Sequence, residues 1–292
     1  MRHQLTIRPA QPSDKELVLK FCEHTFDWGD YVPRVWDFWI KEKHAQLFTA
    51  TLDNKPVGIM RVSIQKPGEA WLQAARTDPS YRRKGIATAL TDACLEWAKT
   101  QRAKAVLLVT DSDNHAAQQA LKKLKFIQVS DFLIMHCEKL QAEKPKNSRW
   151  SQKSDTGNIW KFLRNSDIFK KSAGLYTLIF TWMSLDEQDL AKFIANKKAI
   201  IHESHDAVDG LVLIDEEIRL VWEEKPFQTC YIDGDHDAIV DTVKFFKTYS
   251  HQQGVTNVYA FACNTPVIID ALSEAGFCRE DSNTELVYKK KL

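Results

Sequence analysis

Arg82, Arg83 and Lys84, set directly before Gly85, are the residues of this chain whose types and spacing point most clearly to chemistry. They lie in the stretch TDPSYRRKGIA, 77–87. Before it, the segment 71–76 reads as a strand, and after it a periodic apolar pattern reads as a long helix. A glycine-bearing turn at such a junction exposes unpaired backbone N–H groups at the positive end of a helix dipole, and three cationic side chains add to that field. Gly85 has no Cβ to hold a phosphate off the backbone. The pattern predicts a pyrophosphate-binding turn. A solvated basic turn that only starts a helix is the plainer alternative, and the surrounding elements decide between them.

The rest of the composition confines any anion site to such a local feature. With 40 Lys and Arg against 39 Asp and Glu, the formal charge of +1 supplies no global field for DNA, RNA or an acidic membrane. The 292 residues, 44% hydrophobic and 27% charged, suffice for one large or two ordinary globular domains. Six scattered cysteines without CxxC or finger spacing point to buried reduced thiols, with no metal site. The start MRHQLTIRPAQPSDKE lacks an apolar signal core and no window is apolar enough to span a bilayer, so a cytoplasmic protein is expected.

The elements that must position the turn follow from periodicity. A strand at 5–8 precedes a helix at 16–23, opened by Ser13 and Glu16 at capping-box spacing, with Leu17, Val18 and Phe21 facing inward. The aromatic segment 26–40 holds Trp28, Tyr31, Trp36, Phe38 and Trp39 with Asp27, Asp30, Arg34 and Asp37. It reads either as a pocket wall meeting a polar substrate or as a helix packed on a sheet. Strands at 45–65, turning at 53–55, and at 69–76 form a meander. A helix at 84–100 and the apolar strand 105–110 make a parallel crossover, followed by a helix at 115–124 and a strand at 127–139.

This order and these residues resemble the GNAT superfamily of acetyl-CoA-dependent N-acetyltransferases over roughly residues 5–139. The family loop, (Gln/Arg)-x-x-Gly-x-(Gly/Ala), is matched by Arg82, Arg83, Lys84, Gly85, Ile86 and Ala87 after DPSY, and the later Asn-opened helix by Asn114, Ala117, Leu121 and Phe126. The resemblance implies an α/β (α+β) fold with a mixed sheet flanked by helices. It implies acetyl-CoA as cosubstrate, held through Thr77, the 82–87 loop and Asn114, with the acetyl carbonyl between splayed parallel strands at 74–77 and 107–110. Direct transfer from thioester to amine then needs alignment, loss of the ammonium proton and polarisation of the carbonyl by amides near Arg76 or Thr77. The tyrosine that many members use as acid is replaced by Leu121, so the general acid is unknown and the thiolate, of pKa near 8.5, can leave unaided. Lys125 stands for the usual glycine before Phe126. Among Glu69, Asp78, His115 and His136, Glu69 is the first choice as base, acting through water, although ordered water alone would serve.

From 141 to 155 the chain turns polar and reads as a linker between a coenzyme-binding domain, 1–140, and a second domain, 156–292. Ser184 and Glu187 have capping spacing before a helix at 185–196, and 210–215 with 218–224 reads as a hairpin. A strand at 229–233, a helix at 235–252, a strand at 258–262, a helix at 264–274 opened by Asn264, Gly276–Phe277 and a strand at 285–289 repeat the order of the first half. Asp233, Asp235 and Asp237 stand where that half has its cations, so the second copy reads as degenerate, without coenzyme. An Asp-x-Asp-x-Asp metal loop is the weaker reading, because the rest of an EF-hand pattern is absent.

GDYVPRVWDFWI, 29–40, and the YID and FACNTPVIIDALSEAGF segments also resemble histidine N-alpha-acetyltransferase-like proteins. That implies a small-molecule amine as partner, with the alpha-amine of a free amino acid as one class, and Trp28, Asp30, Tyr31, Trp36 and Asp37 at the substrate. A peptide or protein N-terminal acetyltransferase and a non-catalytic acetyl-CoA sensor are the alternatives. The oligomeric expectation is a monomer or homodimer.

Overall fold

The computed structural model describes residues 4–26, 29–217, 227–280 and 282–292. Trp28 and the expected strand at 218–224 lie outside the described residues. The first half runs β1 (Leu5–Pro9), α1 (Lys15–Cys22), α2 (Val32–Trp39), β2 (Ala45–Leu52), β3 (Lys55–Lys66), β4 (Glu69–Thr77), α3 (Ile86–Thr100), β5 (Ala105–Asp111), α4 (His115–Lys123) and β6 (Ile127–Cys137). Then come β7 (Ser148–Trp150), α5 (Thr156–Asn165), α6 (Asp167–Lys171), the hairpin β8 (Leu175–Thr177) and β9 (Trp182–Ser184), α7 (Glu187–Ala195), β10 (Ala199–Ser204) and β11 (Ala207–Asp215). The chain closes with β12 (Phe227–Gly234), α8 (His236–Gln252), β13 (Val258–Cys263), α9 (Pro266–Glu274), β14 (Cys278–Arg279) and β15 (Glu285–Lys291).

A single sheet runs through both halves in the order β1-β2-β3-β4-β5-β15-β6-β13-β12-β11-β10-β7. Among the described residues two pairs in it are parallel, β4 with β5 and β12 with β13, and each is joined by a long helix, α3 or α8, since parallel neighbours need a crossover connection. The halves exchange their last strands. Strand β15 lies between β5 and β6, pairing Val287 with both Val109 and Ser130, while β6 pairs β13 from Val258–Cys137 to Cys263–Phe132. Val287, Phe261 and Phe132 are buried at this seam. The strands and helices expected between 229 and 289 are present, yet neither half completes a sheet of its own.

The halves also share local devices. Arg8 grips Asp14 through two hydrogen bonds of 2.7 Å, and the same carboxylate accepts from the Gln11 N–H at 2.8 Å. Arg149, Asp155 and Gln152 repeat this contact at identical spacing. The repeated Arg-x-x-Gln-x-Ser-Asp is visible in the sequence, and its contacts emerge only in the structure. It also corrects the first cap: Asp14, not Ser13, closes the turn before α1, and Leu17 is exposed while Val18 and Cys22 are buried. A glycine beneath each long helix completes the likeness. A Cβ on Gly58 would stand 2.9 Å from Ile86, and one on Gly210 would stand 2.9 Å from Ala238.

The polar stretch 141–155 is docked rather than loose. The Glu143 N–H donates to Thr248, Lys146 and Asn147 N–H groups donate to Asp241, and β7 pairs β10 as an edge strand. These are side-chain acceptors on a helix distant in sequence, which composition does not reveal. Asp186, not Ser184, caps α7, accepting from Gln188 and Asp189 N–H groups. Asn264 leaves the α9 cap to Thr265 and instead donates to Asp131. Five of the six cysteines are buried, and Cys278 is exposed.

Candidate active site

Strands β4 and β5 stay paired only from Glu69–Ala105 to Trp71–Leu107. Beyond that point β5 turns to β15, while β4 follows β3 to Thr77 through a register shift at which Ala74 has φ 56°. The bulge bends β4 away and leaves a wedge between two parallel strands. At its wide end the Asp78 carboxylate accepts from the Ser80 N–H at 2.9 Å, folding Pro79–Tyr81 into one short turn. Arg83 and Gly85 follow with φ of 62° and 77°, and α3 begins at Ile86 with no side-chain cap. The first-turn amides of α3 therefore face outward without an intrahelical partner, beside the exposed Arg82, Arg83 and Lys84. A Cβ at Gly85 would find no atom within 4 Å, so the space over the amides is open and any side chain would fill it. This local chemistry suits a pyrophosphate.

At the junction of β12 and α8, the matching place in the second half, no such turn forms. Asp233 points into the core, Gly234 makes the bend at φ 147°, and Asp235 caps α8 by accepting from the Ala238 N–H at 2.9 Å. A carboxylate thus occupies the place an anion would need. Asp237 is exposed, so the three aspartates do not act as one cluster. Asp233 instead accepts from Ser166 and Tyr231 hydroxyls, and burial pushes its pKa up to about 6. Among the described residues no group of His, Cys, Asp and Glu could hold a metal ion.

On the first half's other face, α1 and α2 cover β2, β3 and β4. Asp30 is 1% exposed at its side chain and pairs with Arg76 at 2.7 Å, while also accepting from the Val32 N–H. The Arg76 guanidinium lies 4.9 Å from the Phe26 ring centre and 5.5 Å from that of Tyr31. Burial pulls the Arg76 pKa down, but the Asp30 carboxylate outweighs it and holds the cation above its ordinary value. Burial also lifts the Tyr31 hydroxyl. Asp30 is therefore the counter-ion of Arg76, and its carboxylate is already committed. Trp36 is buried in the core and Asp37 points outward to Lys15 at 2.7 Å. The structure brings Asp30 and Tyr31 together at β4, buries Trp36 in the cluster that Tyr31 packs against, and turns Asp37 away from them, because a helix turns successive residues to different faces.

Glu69 needs the clearest correction. It stands where β4 and β5 are still paired, roughly 17 Å along the strand from Ala74 at ~3.3 Å per residue. Its carboxylate accepts from the Ser184 N–H at 3.0 Å and from the Ser184 hydroxyl, with Lys289 at 3.5 Å. It fastens the second half to the first and does not reach the wedge. Of the other titratable candidates, Asp78 shapes the turn, His115 is exposed at the start of α4, and His136 pairs with Glu280 at 2.7 Å. Asn114 caps α4 by accepting from the Ala117 N–H at 3.1 Å. Leu121 is buried with Phe126 and Tyr288 of β15, whose hydroxyl is lifted by burial. Thr77 is half-buried at the end of β4.

One wall was missed in the sequence. The β8–β9 hairpin of the second half lies against the sheet beside α2, with the Trp182 ring 6.1 Å from that of Trp71 and 5.4 Å from Phe132, and with Phe180 5.4 Å from Phe261. Trp71 faces Ser63 across the strands, and Arg61, two residues from Ser63, lies on that same face under Trp39 of α2. Helix α2 and the hairpin therefore lie on the same face of the sheet, opposite α3, with the hairpin over the paired end of β4 and β5.

Residues 16–126 match the model of the Acetyltransferase (GNAT) family. Histidine N-acetyltransferase of Xenopus tropicalis is 26% identical over 127 residues, 43% of this chain and 39% of that protein. Streptothricin acetyltransferase A of Bacillus subtilis is 28% identical over 89 residues, 30% of this chain and 51% of that one. The matched segments thus span about 39% to 51% of these curated relatives. The solved GCN5-related N-acetyltransferase from Sphaerobacter thermophilus superposes with a TM-score of 0.62 at 12% identity, covering 98% of this chain and 95% of that one. Wedge, uncapped turn, family match and superposition agree: the chain has the mixed α/β fold of the GNAT acetyltransferases, a large sheet with flanking helices.

Proposed function

We propose that the protein transfers an acetyl group from acetyl-CoA to the primary amine of a small molecule, with the alpha-amine of a free amino acid as the leading class. The observation that carries this reading is the uncapped start of α3 at Gly85, opening beside the wedge between β4 and β5. Acetyl-CoA supplies an activated thioester there. The amides of Gly85, Ile86 and Ala87, with Arg82, Arg83 and Lys84, hold the pyrophosphate, Thr77 and Asn114 lie along the way, and the unpaired edge of β4 near Arg76 offers N–H groups to the carbonyl oxygen. Leu121 offers no proton at the position of the family tyrosine, so the thiolate departs unaided. With Glu69 fixed to Ser184, the ammonium loses its proton through ordered water.

A small acceptor is favoured over a protein N-terminus, because the hairpin with Phe180 and Trp182 occupies part of the sheet face that α2 also covers. The amine of a histidine-like amino acid is consistent with the Xenopus relative, which is named for that activity. The second half is proposed as a degenerate copy that binds no coenzyme, shaping the acceptor side instead.

The test is thiol release from acetyl-CoA with a panel of free amino acids, polyamines and N-terminal peptides. Turnover with one or a few small amines and none with peptides is expected. Coenzyme binding with no turnover on any amine would make the protein a sensor, and turnover on peptides alone would overturn the small-molecule reading.

A further inference from the structure

On the sheet face that α2 covers, the floor beside the wedge carries buried hydrogen-bond donors without acceptors. Arg61 of β3 is 5% exposed, and its Cα partner on β4 is Gln73, the residue before the bulge at Ala74. Its guanidinium donates to the Ser63 hydroxyl at 3.0 Å and to the Glu42 carboxylate at 2.5 Å, while among the described residues its Nε–H meets no acceptor. The buried indole N–H groups of Trp71 and Trp182, whose rings lie 6.1 Å apart on the same face, meet none either. An unpaired buried donor is costly, so three on one face favour a group that only accepts. Arg61 and Arg76, both on this face, also differ in charge balance. Arg76 has a buried counter-ion in Asp30, and its pKa is raised. Glu42 keeps 24% of its side chain in solvent, and burial outweighs it, pulling the Arg61 pKa below its ordinary value. Such a cation gains from a second anion. The floor is open where one would enter, because Gln73 is half-buried and Ala75 is exposed.

We infer that Arg61 receives the carboxylate of the acceptor, which makes the substrate class amines that carry a free carboxylate beside the amino group. The inference rests on the acetyl-transfer reading of the wedge and adds to it the residue that selects the acceptor. An α-amino acid bears its carboxylate one carbon from its amine, so an anion site for it must adjoin the acceptor side of the wedge, and Arg61 stands there opposite Gln73. The planar guanidinium fork matches a carboxylate in shape as well as in charge. Polyamines and other amines without an anionic group leave these donors unpaired and are disfavoured.

The experiment measures thiol release from acetyl-CoA by wild type and Arg61→Gln with the proteinogenic amino acids, their carboxamides and their decarboxylated amines. Wild type is expected to favour at least one free amino acid over its carboxamide by roughly ten- to hundred-fold in kcat/KM, the scale of a charge-assisted contact. The amine of a carboxamide is less basic and more of it is unprotonated at neutral pH, so this order cannot arise from the amine itself. Arg61→Gln should erase the preference through a higher KM for the acid, while its affinity for coenzyme A, read by calorimetry, shows that it is folded. Should the variant not fold, the wild-type comparison decides by itself. Equal wild-type turnover of acid and carboxamide overturns the inference and leaves the transfer reading intact, and so does a preference that survives in the variant. A folded variant that loses both substrates alike makes Arg61 a structural residue and also overturns it. Turnover of no small amine at all would overturn the transfer reading, and the inference with it.

Discussion

Gly85 shows how much a single residue carries at this site. Its left-handed backbone at φ 77° ends the basic turn, and the empty space above it leaves the α3 amides accessible. Arg82→Ala combined with Gly85→Val should abolish coenzyme binding in a titration. The backbone penalty of about 1–2 kcal/mol should lower the melting temperature by only a few degrees, read by calorimetry. Asp233 makes a different prediction. Its carboxyl is raised from 3.8 to about 6 by burial, so the folded state holds its proton more tightly than the unfolded chain does. Its contribution is present below pH 4 and is lost as pH rises towards 6, a loss of about 3 kcal/mol for this shift. Asp233→Asn should flatten that decline, and melting curves between pH 4 and pH 7 that remain parallel for variant and wild type would refute it. The basic turn was legible because its chemistry is written in four consecutive residues. Glu69 and Asp30 were not, since their partners, Ser184, Lys289 and Arg76, are remote in sequence.

At the scale of elements, period and punctuation located most helices and strands to within a residue or two. Helix α3 begins at Ile86 where the apolar spacing starts, and β5 is as central as its wholly apolar run requires. Pairing was less visible. A strand such as β15, Glu285–Lys291, reads the same whether it pairs within its own half or crosses to the other, and β15 crosses. Its removal leaves β5 and β6 with unpaired edges and uncovers the core around Val287. A chain ending at residue 280 should therefore lose coenzyme binding although every residue of the 77–87 turn remains, and limited proteolysis should cut both halves rather than release a stable first one. Recovery of a protease-resistant fragment covering 5–137 would contradict this.

At the scale of the whole molecule, the recurring strand-helix-strand order was readable in the sequence, and the doubled Arg-x-x-Gln-x-Ser-Asp accompanies it. The independence of the two parts was not. The 141–155 stretch reads as a spacer by composition, yet it lies along α8, and the hairpin with Trp182 reaches across to Trp71. One part holds the open helix start, the other supplies a wall and a strand.

The position of β15 also governs when the molecule can become whole. Strand β5 pairs β4, the strand that leads into the 77–87 turn, but its second neighbour is made only after α8, β13 and α9 have been synthesised. During translation the first half must wait with the exposed edges of β5 and β6, the kind of surface that recruits chaperones or sticks to other chains. Long sequence separation between paired strands also slows the search for them. The order of synthesis thus makes the candidate site one of the last parts of the protein to mature.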